Sequence, residues 1–140
     1  MALVGGAGVG KTTLQEEILR NVVYGGSGVS VFAGIGERIR EGHALWRSLQ
    51  EHKVLDRTAL VFGHINKNAA VRALTAATAA TLVEYFRDEE KKDVLFFVDN
   101  VFRFLQAGSE LSTLTGEIPS EFGYQPTLQS EIAAFENRLY

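Results

Sequence analysis

Three stretches of this chain are apolar on both alternating faces: "VSVFAGIG" (Val29–Gly36), "TALVFGHI" (Thr58–Ile65) and "DVLFFVDN" (Asp93–Asn100). A strand with one polar face needs covering once. A strand apolar on both faces must be covered twice, as parallel strands are when helices pack above and below the sheet. Helical patterning fills the intervals. "EGHALWRSLQEH" sets Leu45 and Leu49 four apart, and the Ala-rich "AAVRALTAATAATLVEYF" carries Val71, Leu74, Leu82 and Phe86. "TLQSEIAAFENRL", after Pro126, places Leu128, Ile132 and Phe135 on one helical face. Strand and helix alternate, so the expected fold class is α/β with a parallel sheet flanked by helices. "RDEEKKD" (Arg87–Asp93) reads as a solvated turn whose charges need no function.

Ahead of these elements stands "MALV", a short apolar run expected to form a first strand, and then "GGAGVGKTT" (Gly5–Thr13). So many glycines make either a loose turn or a cradle for phosphate. Gly5, Gly6, Ala7, Gly8, Val9, Gly10, Lys11 and Thr12 fit G-x-x-x-x-G-K-[ST], and Thr13 follows. In that pattern backbone amides ring the phosphates, the lysine reaches the outer ones and the hydroxyl ligates magnesium. The pattern needs a strand before it and a helix after it. "TTLQEEILRNVVY" supplies the helix, with Leu14, Ile18 and Val22 expected on its packed face. Its positive end would then point at the phosphates.

The bulk numbers narrow the remaining classes. At 140 residues the chain is one domain by length, and 46% hydrophobic with 22% charged residues is ordinary globular composition. A net charge of −3 gives no footprint for nucleic acid or lipid. The absence of cysteine excludes disulfides and thiol chemistry. The apolar runs fall far short of a membrane span and no leader precedes the loop, so any membrane would be met through partners. The abrupt start at the first strand and the end on a helix read as a piece cut from a longer chain.

Two carboxylates stand at expected strand ends. Asp99 closes "VLFFVDN", where an aspartate either caps the next element or holds a magnesium-bound water. Glu37 and Arg38 follow directly on the strand ending "GIG". They are either a solvated turn or a group that polarises water beside a cation for γ-phosphoryl charge.

With these residues in place, the chain resembles the nucleotide-binding domain of the catalytic β subunit of F-type rotary ATP synthases. The resemblance covers nearly all 140 residues and is carried by "GGAGVGKT", "VFAGIGERIREG", "EYFRDEE", "DVLFFVDNVFRFLQAGSELSTL" and "GYQPTL". It implies a RecA-like fold with the loop's strand beside the strand that ends in Asp99. It implies that Lys11 binds the β- and γ-phosphates of ATP or ADP, and that Thr12 binds magnesium. Glu37 would position and activate water, Arg38 would contact the γ-phosphate region, and Glu41 and Asp99 would hold magnesium through water. Asn100 and Arg103 would complete the phosphate site. It further implies α-type partner subunits in an alternating hexamer, a central rotor shaft, no nucleic acid, and a peripheral complex on the cytoplasmic face of a bacterial membrane or its mitochondrial or plastid equivalent.

The match has departures and gaps. Where the family usually reads N-E-P-P-G-A-R, this chain reads "NKNAAVR" (Asn66–Arg72), which removes a proline pair and puts Lys67 at an acidic position. That loop is expected to be less rigid, with altered contacts to a neighbouring subunit. Glu117 stands where arginine is common, and "SEFGYQP" replaces a smaller, uncharged run. The family's amino-terminal barrel, adenine-sandwiching tyrosines, carboxyl-terminal helical domain and the partner's arginine finger are absent from these 140 residues, so the piece alone should be a poor catalyst. Three other readings stand beside the rotary one. They are a related hexameric motor for protein export or RNA translocation, a non-catalytic nucleotide-binding subunit, and a truncated product without activity. "DNVFRFLQAGSE" with "GYQPTL" argues against the first, and Glu37 argues against the second.

Overall fold

The computed structural model describes residues 2–5, 9–26, 28–120 and 122–139. Three parallel strands, β1 (Val29–Glu37), β2 (Thr58–His64) and β3 (Val94–Asp99), form a sheet in the order β2-β1-β3. Around it pack α1 (Lys11–Gly25), α2 (Ile39–Glu51), α3 (Ala69–Glu84), α4 (Val101–Leu114) and α5 (Leu128–Glu136). The three doubly apolar runs are the three strands.

The register explains why both faces had to be apolar. It sets Val31 beside Ala59 and Phe96, then Phe32 beside Leu60 and Phe97, then Ala33 beside Val61 and Val98. The first and third rows pack on Ala79 and Val83 of α3. The middle row packs on Leu19 and Val23 of α1 and on Leu45 and Leu49 of α2. Period two thus divides one strand between two cores, giving three layers.

Four expectations need correction. Leu14 and Val22 are 48% and 41% exposed, and α1 buries Leu19 and Val23 instead. The sequence holds two i, i+4 ladders about 100° apart, and contact with the sheet selects the second. On α3, Val71 and Leu74 face outward, while Ala69, Arg72, Thr75, Ala76, Ala79, Ala80 and Val83 are buried. Small side chains are needed there because helix and sheet approach closely: a Cβ on Gly63 would lie 2.2 Å from Thr75 Oγ1. The expected first strand is not formed. Ala2–Gly5 are unpaired, and β3 has β1 as its neighbour among the described residues. Ordering each residue costs about 1–2 kcal/mol, and so short a segment buries too little to offset it. Finally, the helix beginning at Ala69 runs on through a π-turn at Tyr85–Glu89, into what reads as solvated turn.

The loop that lost its prolines is held by other means. Asn68 caps α3, its Oδ1 accepting from Val71 N at 2.9 Å. Buried Arg72 donates to the Lys67 carbonyl and pairs with Glu110 on α4. We expect Asn68→Ala to cost about 1 kcal/mol, read as a lowered denaturation midpoint; an unchanged midpoint would show the cap to be idle.

Helix α5 is tied to α3 by one arginine. Arg138 grips both Glu84 oxygens at 2.7 Å and also donates to Thr81 Oγ1 and the Ala77 carbonyl. The bond from Arg138 holds the Glu84 carboxyl below the usual carboxylate range. A depressed acid favours the folded state above its unfolded pKa, and that contribution is lost as pH falls through the folded one. Acid should therefore loosen α5 as the pH drops below the ordinary glutamate range. Hydrogen exchange on Leu128–Glu136 should rise there, and Arg138→Met should remove the pH dependence.

No helix among the described residues is long and apolar enough to cross a membrane.

Candidate functional site

The carboxyl ends of the strands bring Glu37, His64 and Asp99 to one edge of the sheet. Helix α1 has its carboxyl end at the strands' start, where Arg57, just before β2, donates to the carbonyls of Val23 and Gly26. Its 15 residues span about 22 Å.

At the amino end, Gly10 takes the N-cap with φ 86°, and Leu14 N donates to its carbonyl. Lys11 Nζ donates to the Gly5 carbonyl at 2.7 Å, drawing together the two ends of the glycine segment. Thr12 and Thr13 are exposed, as is Val9. Gly6, Ala7 and Gly8 of the expected cradle lie outside the described residues.

Strand β1 ends irregularly. Ile35 pairs with Gly63, and the next β2 residue, His64, pairs with Glu37, leaving Gly36 as an extra residue at φ 68°. Glu37 then meets Asp99 of β3 and Glu41 in the first turn of α2, with side-chain hydrogen bonds to both. Burial first, then these two carboxyl groups, push the Glu37 carboxyl up to about 9. Glu41, which accepts from it, is held below the usual range. Kept neutral in this way, Glu37 has one proton to donate within the cluster.

Asn100 follows Asp99 in the left-handed region, at φ 61° and ψ 64°, and makes no side-chain cap to α4. A non-glycine residue held there at a strand tip marks a place where surroundings impose the backbone. Its carbonyl accepts from Arg103 N at 2.8 Å. The Arg103 stem lies over Gly36: Cβ, Cγ and Cδ are all 3.1 Å from where a Cβ would stand. Arg38 is at the margin, with its side chain 71% exposed and 3.8 Å from Glu41.

The structure thus gathers Glu37, Glu41, Asp99 and Arg103, and leaves Arg38 outward. Among the described residues no group of three or more His, Asp or Glu side chains is arranged to hold a metal ion. Magnesium takes one or two carboxylates and keeps several waters, so any part in binding it would fall to Glu41 and Asp99 accepting from that water.

Two features escaped the sequence reading. His64 neighbours Glu37 across the ladder, its ring stacks on Phe62 (5.6 Å, 7°), and its buried Nδ1 has no partner. Applying the strand-tip rule to β2 as well as to β1 and β3 would have found it. The Gly36 bulge had no such signal.

The family model for the ATP synthase alpha/beta family, nucleotide-binding domain, matches residues 1–140. The solved structure of a unique ATP synthase subunit, NeqB, from Nanoarcheaum equitans is similar, with a TM-score of 0.86 and 27% identity. The similarity covers 94% of this chain and 33% of that one, so the chain spans about a third of that subunit's length. The parallel sheet with flanking helices is the RecA-like α/β arrangement of the family.

Proposed function

Because this chain belongs to the ATP synthase alpha/beta family, we propose that it is the nucleotide-binding domain of a catalytic, β-type subunit that makes or splits ATP at an interface with α-type partners. The observation that carries the reading is the Glu37–Asp99–Glu41 cluster at the strand tips. A merely nucleotide-holding subunit has no use for a desolvated carboxyl beside the phosphates. The barrel and helical domains of such subunits would lie outside these 140 residues, and membrane attachment would come through partners.

In this reading the amides at the start of α1 and the Lys11 ammonium bind the β- and γ-phosphates, with Thr12 directed at the cation. Asn100 and Arg103 orient the terminal phosphoryl group from the opposite side. Glu41 and Asp99 accept from the cation's water shell. Magnesium entering with the triphosphate would supply the positive charge that favours ionised carboxylates here. Glu37, its own proton released to solvent, would then accept a proton from water as that oxygen bonds the γ-phosphorus and the β–γ bridging oxygen leaves with ADP. Arg38, exposed at the margin, would move onto phosphoryl charge.

A non-catalytic role is the second reading, since the family includes alpha subunits by description. The two part on one experiment. Purified complex that binds Mg-ATP and turns it over, with turnover lost on replacing Glu37, supports catalysis. Tight binding with turnover indifferent to Glu37 supports the second reading.

A further inference from the structure

We propose that Gly36 is a positioning residue that aims two opposite charges at once, the Glu37 carboxyl and the Arg103 guanidinium. The inference rests on the water-activating role given above to Glu37. In a regular strand, side chains alternate, so residue 37 would share a face with Val31, Ala33 and Ile35. Val31 and Ala33 pack toward α3. Asp99, however, pairs with Gly34, on the face of Phe32 and Phe97, which is covered by α1 and α2. Without a correction Glu37 would point away from both Asp99 and Glu41.

The correction is the extra residue. A slip of one residue reverses every side chain beyond it, and bulges do so locally, commonly next to functional sites. The shift between Ile35 and Glu37 turns Glu37 onto the face of Asp99 and of α2, where it finds Glu41. Ladder pairing resumes at once, with Ile65 N donating to the Glu37 carbonyl at 3.0 Å. The bulge is therefore anchored on both sides.

Glycine is favoured at this position for two independent reasons. Its φ of 68° lies in the left-handed region that side chains disfavour. Its missing Cβ also leaves the space over which the Arg103 stem lies, since three Arg103 carbons stand 3.1 Å from that point. A methyl group there pushes the Arg103 stem aside by a few tenths of an ångström or flattens the bulge. Lifting Arg103 displaces the cation from the phosphoryl group, and flattening the bulge swings Glu37 off Asp99.

Two variants separate these consequences in the assembled subunit. Gly36→Ala strains both, while deleting Gly36 restores the uninterrupted register. Each should lower kcat for ATP about 10²-fold, the cost of a small misplacement of a catalytic group, with Mg-ATP affinity retained. In a Glu37→Gln background the further loss should shrink to the part carried by Arg103, and with Glu37→Gln and Arg103→Ala together neither change should lower kcat further. A structural lesion would instead lower thermal stability and activity in every background.

A second readout needs no activity. The chain lacks cysteine, so Glu37→Cys with Asp99→Cys gives a clean pair for a short bis-methanethiosulfonate reagent. Bridging should be efficient with Gly36 present and should fail when it is deleted. Equal bridging in both, or kcat unchanged in Gly36→Ala, overturns the proposal. If bridging depends on Gly36 but the parent complex has no ATP turnover, the catalytic reading has failed and the positioning geometry stands.

Discussion

Glu37→Gln in the assembled subunit is expected to lower ATP turnover by about 10²–10⁴-fold, the usual contribution of a positioned general base, with nucleotide affinity little changed. Glutamine is a demanding control here. Up to a pH of about 9, and without a cation, Glu37 holds a proton and donates it within the cluster. The amide of glutamine is also neutral and also donates, so the contacts to Asp99 and Glu41 persist and folding should be unaffected. What glutamine lacks is basicity once the acidic cluster ionises around a cation. A fall in kcat without a change in thermal midpoint or Mg-ATP affinity is the expected pattern. Parental turnover in this variant would remove Glu37 from the chemistry.

Lys11→Ala has its largest effect on binding. Lys11 begins α1, and its ammonium donates to the Gly5 carbonyl. Hydrogen bonds to charged groups contribute about 1.5–3 kcal/mol, so losing one to phosphate should weaken ATP binding about 10²-fold. Equilibrium titration with a fluorescent ATP analogue reads this directly. Lys11→Arg tests shape: the longer planar fork keeps the charge but not the point contact, so partial recovery is expected. Undiminished affinity in the alanine variant would mean that the glycine segment is a turn and not a phosphate cradle.

The two sites were legible to different degrees for physical reasons. Asp99 could be read because it ends an apolar run, and strand polarity alone brings such a residue to the ligand edge. Glu37 could be read as lying near that edge, but its direction could not. Regular alternation would have pointed it to the wrong face, and a one-residue bulge in β1 reversed it. Arg103 is distant from Glu37 in sequence, and its place over Gly36 follows from how α4 packs across β1. Helix faces divide similarly. Leu45 and Leu49 of α2 could be read because one ladder dominates, whereas α1 offers two. On α3 Val71 and Leu74 misled, because the sheet there approaches closely enough to favour small side chains, whereas Leu82 packs on the core as read.

What the amino-acid order determined alone is local and periodic: strands apolar on two faces, helices between them, and a glycine-lysine-threonine segment at a helix start. These depend on neighbours within a few residues, so they need no knowledge of the rest. What the tertiary structure decided is which ladder each helix buries, whether Ala2–Val4 join the sheet, which way Glu37 turns and where the Arg103 stem lies. Those outcomes depend on the distance between layers and on a single left-handed glycine, quantities fixed only when separate parts of the chain pack together.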